Sequence, residues 1–240
     1  MRCVAIIPAR FASTRFPGKP LAEIAGKSIL QRVIEQAQKV SSLSDIWVTT
    51  DNDQIQSHVE SLGIKVFRTS PLCESGTERI IELTPIVIEH GFDAVLNIQG
   101  DEPFIHPETI EAVVKAIETN NIVTACTPLQ TDEEISDPNR VKVTINTLGN
   151  ALYFSRSPIP FSRNPYNTYK KHLGIYGFSL DALKKIAHLE PHELELAESL
   201  EQLRWLANDI PIRVVETKLD SLGIDTPLDL ENAKKLYFQE

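Results

Sequence analysis

Three cations, Arg10, Arg15 and Lys19, fall within ten positions of one another in a chain of 240 residues whose formal net charge is −9. They belong to the run Ile6-Ile7-Pro8-Ala9-Arg10-Phe11-Ala12-Ser13-Thr14-Arg15-Phe16-Pro17-Gly18-Lys19-Pro20-Leu21, which follows a short apolar segment. A loop in that place can hold an anion through its backbone N–H groups, through charge-assisted hydrogen bonds from the cations, and through the hydroxyls of Ser13 and Thr14. The chemistry this suggests is the binding of a triphosphate. The competing reading is a loop of solvated surface cations. The run matches neither G-x-x-x-x-G-K-[ST] nor G-x-G-x-x-G, so neither a P-loop NTPase nor a dinucleotide-binding domain is supported.

Two carboxylates complement the cations. Asp101, in Gln99-Gly100-Asp101-Glu102-Pro103, follows the carboxyl end of a predicted strand, where ligands of open α/β sheets bind. It can hold Mg²⁺, a hard cation that takes carboxylate and phosphate oxygens together; otherwise Asp101 or Glu102 caps a helix beginning near Pro107. Asp225, in Gly223-Ile224-Asp225-Thr226-Pro227, is either a second metal ligand or an ordinary helix cap before proline. Together the two acids can clamp Mg²⁺ between a triphosphate and a second, acidic substrate and support departure of pyrophosphate.

Three further segments can bind polar groups. Ser75-Gly76-Thr77-Glu78-Arg79 opens a helix whose free N–H groups can meet an anion or a base edge; the plainer reading is a capped helix with Arg79 on its surface. His172 and Tyr176 stand four apart on a predicted strand and so share a face, as the wall of a polyhydroxy pocket or as packing residues. Glu198 and Gln202 are one helical turn apart, and Glu201 with Gln202 can bond sugar hydroxyls or form a solvated face.

The elements that position these residues follow from periodicity. Cys3 to Ile7 reads as a buried parallel strand ended by Pro8. Ser28 caps a helix with Ile29, Leu30, Val33, Ile34, Ala37 and Val40 on one face. Ile46 to Thr50 is a strand, Asp51 opens a helix carrying Ile55, Val59 and Leu62, and Gly63 closes it. Lys65 to Arg68 is a strand, Gly76 to His90 a helix that Pro85 should kink, and Ala94 to Ile98 a strand. The alternation predicts a doubly wound, mainly parallel α/β sheet. After about residue 128 the pattern changes. Val141 to Asn146 and Ala151 to Ser155 form an antiparallel hairpin, Ser157 to Pro165 is a proline-rich loop, His172 to Phe178 is a strand, and Leu194 to Ala207 is one amphipathic helix. Ile212 to Glu216 is a late strand and Thr226 to Leu236 a closing helix. The expectation is one domain, residues 1–240, with an inserted hairpin or dimer arm at about 139–170.

Bulk properties exclude other classes. The acidic balance argues against a general nucleic-acid binder. No apolar run is long enough for a signal segment or a spanning helix, so the expected place of work is the cytoplasm, away from the membrane. Cys3, Cys73 and Cys126 are odd in number and unclustered, and read as reduced thiols.

The tail Phe16-Pro17-Gly18-Lys19-Pro20-Leu21 resembles the signature of sugar-activating nucleotidyltransferases. Over nearly the whole chain the closer resemblance is to the 3-deoxy-manno-octulosonate (Kdo) cytidylyltransferases, the CMP-Kdo synthetases. It is carried by Pro8 to Arg15 and Asn97 to Pro103, shared with wider nucleotidyltransferases. Tyr153-Phe154-Ser155-Arg156, Ser157-Pro158-Ile159-Pro160, His172-Leu173-Gly174-Ile175-Tyr176 and Leu200-Glu201-Gln202-Leu203-Arg204 are closer to the Kdo enzymes. The resemblance implies that Pro8, Ala9, Arg10, Ser13, Arg15, Lys19, Ser75 and Asp101 meet CTP, and that Asp101 and Asp225 bind Mg²⁺. It implies that Gln99, Arg156, His172, Tyr176, Glu201 and Gln202 surround the sugar acid, that Arg15, Lys19, Asp101 and Asp225 serve catalysis, and that the enzyme is a homodimer. The implied reaction is attack of the anomeric hydroxyl of Kdo on the α-phosphate of CTP. The alternatives are a cytidylyltransferase for sialic acid or methylerythritol phosphate, and a silent nucleotide-binding module. The chain departs from the family pattern twice: Cys73 stands where His is usual, with Glu74 beside it, and Asp220-Ser221-Leu222 replaces a glycine-rich lead-in to Asp225. An 8-amino analogue of Kdo, whose ammonium would favour a nearby carboxylate, is the altered substrate these departures suggest.

Overall fold

The computed structural model describes residues 1–12 and 15–238. In chain order the first half runs β1 (Cys3–Pro8), β2 (Glu23–Ile24), β3 (Lys27–Ser28), α1 (Ile29–Ala37), β4 (Leu43–Thr50), α2 (Asp53–Ser61), β5 (Lys65–Arg68), α3 (Gly76–Glu89), β6 (Ala94–Ile98) and α4 (Pro107–Ile117). The second half runs β7 (Ile122–Pro128), α5 (Asp132–Ser136), β8 (Lys142–Ile145), β9 (Ala151–Ser155), β10 (Lys170–Ser179), α6 (Leu180–Ile186), α7 (Glu193–Glu198), α8 (Gln202–Ala207), β11 (Arg213–Glu216) and α9 (Pro227–Phe238).

The main sheet has the order β11-β7-β10-β6-β1-β4-β5, with β8 and β9 branching from β10. Strands β6, β1, β4 and β5 are mutually parallel, as are β11 and β7, whereas β10 runs antiparallel between β6 and β7. The expected doubly wound, mainly parallel sheet is therefore present, with a reversed strand in its middle. Alternate residues of β1 face opposite layers: Ala5 and Ile7 pack beneath α1 and α4, while Val4 and Ile6 join Trp47 beneath α3. A Cβ at Gly177 of β10 would overlap Ile117, so that glycine lets α4 lie close on the sheet. A third cluster joins Ile24 and Ile29 to Phe104, Ile224, Leu230 and Ala233, fixing α9 against the β2–β3 hairpin.

Most helix ends follow their local grammar. The Ser28 side chain accepts from Gln31 N at the start of α1. Two expectations need correction. Helix α2 is opened by Asn52, whose side chain accepts from Gln54 N and Ile55 N, and not by Asp51. The helix expected over Leu194 to Ala207 is two short helices, broken where Ser199 takes φ 51°. The break is held from outside: Glu198 accepts from Ser155 Oγ at 2.6 Å and Arg156 N at 2.9 Å, and Arg156 Nε donates to Glu198 O at 2.7 Å. Helix α3 continues through Pro85 to Glu89. No described helix is long and apolar enough to cross a membrane.

Candidate functional site

The carboxyl ends of β1 and β6 meet the start of α3 and the segment before α9 around a cavity of about 230 Å³. Pro8, Ala9 and Arg10 bring the end of β1 to it, and Gln99, Gly100 and Asp101 the end of β6. These two stretches touch: a Cβ at Gly100 would lie 2.7 Å from Pro8 O, so only glycine lets the two backbones approach this closely. Arg15 and Lys19 close one side, Ser75 and Gly76 another, and Asp225 the mouth.

The electrostatics centre on Lys19. Its Nζ lies 2.6 Å from Asp101 Oδ2 and 3.3 Å from Asp225 Oδ1, and its side chain is 11% exposed. Arg15 Nη2 reaches the same Asp225 oxygen at 3.1 Å. Lys19 is thus held inside the site, whereas Arg10 and Arg15 border the cavity from exposed positions, so the reading of solvated surface cations fails for Lys19 alone. The acids are not caps. The N-cap of α4 is His106, which leaves Asp101 and Glu102 without that duty. At the start of α9 the cap is made by Thr226 and Asp229, through Asp229 N to Thr226 Oγ1 at 3.2 Å and Thr226 N to Asp229 Oδ2 at 2.8 Å. The Asp225 carboxylate is left to face the cations.

Glu102, beside Asp101, accepts from the Ser221 hydroxyl, and Ile224 N donates to Asp101 O at 2.9 Å, tying the Asp225 segment to the turn after β6. Burial, followed by the charge of Asp101, pushes the Glu102 carboxyl up to about 7. Ser75 caps α3 by accepting from Glu78 N at 3.1 Å, as the plainer reading expected, and it also lines the cavity. Arg79 is not on the surface: it is buried, with Nη2 2.8 Å from Asp51 Oδ2 and Nη1 2.7 Å from Thr69 Oγ1.

The expected sugar contacts divide. Gln99 lines the cavity. Glu201 lines a second cavity of about 120 Å³ that shares Glu74 and Ser75 with the first. Its carboxylate accepts from Thr77 Oγ1 at 2.8 Å, and burial raises its pKa against the opposing pull of the Thr77 and Ser75 hydroxyls. Arg156, His172, Tyr176 and Gln202 line neither cavity. Arg156 is spent on backbone carbonyls, including Glu198 O and Pro138 O at 3.1 Å. His172 and Tyr176 do share a face, with ring centroids 5.3 Å apart, much less than the ~13 Å that four residues of straight strand would span. A bulge gathers them: β10 pairs Leu173 with Ala125 and then Tyr176 with Thr124, leaving Gly174 and Ile175 extra. Tyr176 Oη and Gln202 Nε2 are buried without a hydrogen-bond partner. Ser13, expected among the nucleotide contacts, lies outside the described residues, as does Thr14.

Glu74, Gly76, Gly100 and Arg79 were not expected as cavity walls. For Arg79 a signal existed: Asp51 directly follows β4 and Arg79 lies one turn into α3, both at the carboxyl edge of the sheet. Of the two residues that depart from pattern near Ser75, Glu74 lines both cavities, whereas Cys73 Sγ turns to Glu82 Oε2 at 3.2 Å. Burial, followed by that carboxylate, pushes the thiol up to about 11.

Asp101 and Asp225, sharing one ammonium, present hard oxygen donors from two segments, a set that suits Mg²⁺. Among the described residues no group of three or more His, Cys, Asp or Glu side chains forms a metal cage. Two carboxylates fit an ion that completes its shell with phosphate oxygens and water.

A cytidylyltransferase family model matches residues 4–217. The chain is 45% identical to 3-deoxy-manno-octulosonate cytidylyltransferase of Parabacteroides distasonis, over 97% of each. It is 46% identical to the enzyme of the same name from Bacteroides thetaiotaomicron, over 98% of each. The solved structure of a CMP:2-keto-3-deoxy-manno-octonic acid synthetase complexed with CTP superposes with a TM-score of 0.93 at 39% identity, covering 100% of this chain and 99% of that one. The chain belongs to the cytidylyltransferase family, among the 3-deoxy-manno-octulosonate cytidylyltransferases.

Proposed function

We propose that this protein transfers CMP from CTP to the anomeric hydroxyl of Kdo, giving CMP-Kdo and pyrophosphate for lipopolysaccharide synthesis, and that it works in the cytoplasm. The observation that carries this reading is the Lys19 ammonium between Asp101 and Asp225 at a cavity walled by Arg10 and Arg15. The sugar hydroxyl oxygen bonds to the α-phosphorus and gives up its proton to water, as the bond from that phosphorus to the oxygen bridging the β-phosphate breaks and its electron pair leaves with pyrophosphate. The nucleophile belongs to the substrate, so no covalent enzyme intermediate forms and catalysis is positioning and charge neutralisation. Backbone at Pro8 and Ala9, with Arg10, Ser13 and Ser75, holds the nucleotide. Arg15 and Lys19 offset charge on the departing pyrophosphate. Asp101 and Asp225 would hold Mg²⁺, which supplies charge neutralisation between the two anionic substrates.

On the sugar side, the unpartnered Tyr176 Oη and Gln202 Nε2 support a polar ligand that completes their hydrogen bonds. Gln99 and Glu201, which line the two cavities, would share that ligand, and the family resemblance alone adds Arg156 and His172, which line neither. A second reading, an 8-amino sugar, draws on the smaller cavity, where the carboxylates of Glu74, Glu78, Glu195 and Glu201 outnumber the one cation, Arg204. The same proposal makes residues 1–240 one domain and the enzyme a homodimer, with about 139–170 as the arm. Leu148, Leu152 and Phe161 there are 71%, 60% and 90% exposed, which supports a covered face. A light-scattering mass of one chain would remove the dimer.

The test is pyrophosphate release with CTP and Mg²⁺, offering Kdo, its 8-amino analogue and sialic acid in parallel. Release with Kdo supports the main reading, and release chiefly with the amino sugar supports the second. Silence with all three leaves a nucleotide-binding module without catalysis.

A further inference from the structure

Thr124 of β7 is wholly buried and touches neither cavity, yet its hydroxyl has three polar neighbours. Oγ1 lies 2.9 Å from His172 Nε2, 2.8 Å from Ile175 O and 3.3 Å from Leu173 O. The bulge in β10 creates this cluster, because it turns the carbonyls around Gly174 out of step with β7.

A hydroxyl has one proton to give, and neither carbonyl has any. Were that proton given to the imidazole, Thr124 Oγ1 and Ile175 O would face each other at 2.8 Å with no hydrogen between them, inside a region closed to water. Opposed lone pairs at that distance are repulsive, and the buried hydroxyl would forfeit its shortest acceptor. The proton therefore goes to Ile175 O. The ring nitrogen at 2.9 Å must then be the donor.

We infer that Thr124 is a positioning residue that fixes His172 as its Nε2–H tautomer, leaving Nδ1 as a bare acceptor. Burial, with help from Lys171, holds the His172 ring down at about 3, so it is neutral near pH 7 and carries one proton on one nitrogen. The rings of Phe154 and Tyr176 pack on it at 5.0 and 5.3 Å, limiting its rotation. An acceptor at Nδ1 pairs with a group that donates. A sugar hydroxyl meets that need and a carboxylate does not, so His172 would read a hydroxyl of the acceptor sugar. This last step rests on the proposed place of His172 among the sugar contacts; the tautomer does not.

The test is ¹⁵N–¹H long-range correlation spectroscopy of the full chain without substrate, with His172 identified by its loss in His172→Gln. The expected signature is protonated Nε2 in the parent and in Thr124→Ser, which keeps the hydroxyl. Thr124→Val, which removes it, should release the ring to Nδ1–H or to a mixture. The KM for the sugar should rise about tenfold in Thr124→Val, as for one lost hydrogen bond, with kcat little changed and Thr124→Ser close to the parent. Protonated Nδ1 in the parent overturns the inference, whether or not Thr124→Val folds, as does an unchanged Nε2–H signature in a folded Thr124→Val. A tautomer that switches as expected without any change in sugar KM removes His172 from the sugar contacts while the role of Thr124 stands.

Discussion

Replacing Lys19 by methionine keeps the length of the side chain and removes its charge from the centre of the site. The ammonium lies 2.6 and 3.3 Å from two carboxylates and is itself mostly buried, so it stands where an incoming phosphate oxygen would meet it at similar range. A unit charge pair at ~4 Å in an effective dielectric of ~20 interacts by about 4 kcal/mol. Part of that is present before the bond to the leaving group breaks, and only the increase on the way to the transition state counts toward kcat. Loss of one such preorganised group is worth about 10²–10³ in rate. Lys19→Met should therefore lower kcat for pyrophosphate release by about 10²–10³. Stability should change by only ~1 kcal/mol, because Asp101 and Asp225 are 32% and 47% exposed and water screens them once unpaired. The assay is steady-state pyrophosphate release with CTP, Mg²⁺ and Kdo, run beside thermal denaturation. A kcat within about threefold of the parent in a folded Lys19→Met would refute the reasoning, since a centrally placed ammonium would then contribute nothing to the transition state.

Two further outcomes are expected. Arg79→Met strands the Asp51 carboxylate, which is 17% exposed, and should cost about 3–5 kcal/mol in urea denaturation, far more than any surface ion pair. The Glu102 carboxyl is held up to about 7 from its ordinary 4.5, so the folded chain keeps a proton that the unfolded chain has already released. Stability therefore falls as pH rises from about 4.5 to about 7, and Glu102→Gln should flatten that fall when urea midpoints are compared at about pH 5 and about pH 8.

Local chemistry was legible wherever one residue type has one good use. Ser28 as a cap, Gly63 past the end of α2, and the apolar run of β1 all appear as their patterns predict. That the cationic loop after β1 would face Asp101 was also legible, because loops at the carboxyl ends of parallel strands converge, whereas Asp225 joined them only through the family resemblance. What was hidden depended on distant partners. Nothing near Ser199 shows that Arg156 and Ser155 will seize the end of α7 and break the helix. Nothing near His172 shows that a two-residue bulge will draw it beside Tyr176. Asp51 and Asn52 are both good caps, and the choice falls to Asn52 because Arg79 claims Asp51 from another element. The role of Asp225 was ambiguous for the same reason, until Thr226 and Asp229 were seen to cap α9 between themselves.

Lys19 meets Asp101 across 82 positions of chain and Asp225 across 206. During synthesis the cationic loop and the first acid emerge early, and the parallel strands that hold them can begin to associate while most of the second half is still unmade. The second acid arrives only with the segment before α9, after the ribosome has completed every strand of the sheet. Closing so long a loop is slow and comes late in folding. Competence to turn over substrate thus reports on nearly the whole chain, and a nascent or clipped molecule that can already attract nucleotide through its cations lacks the acid needed to finish the site.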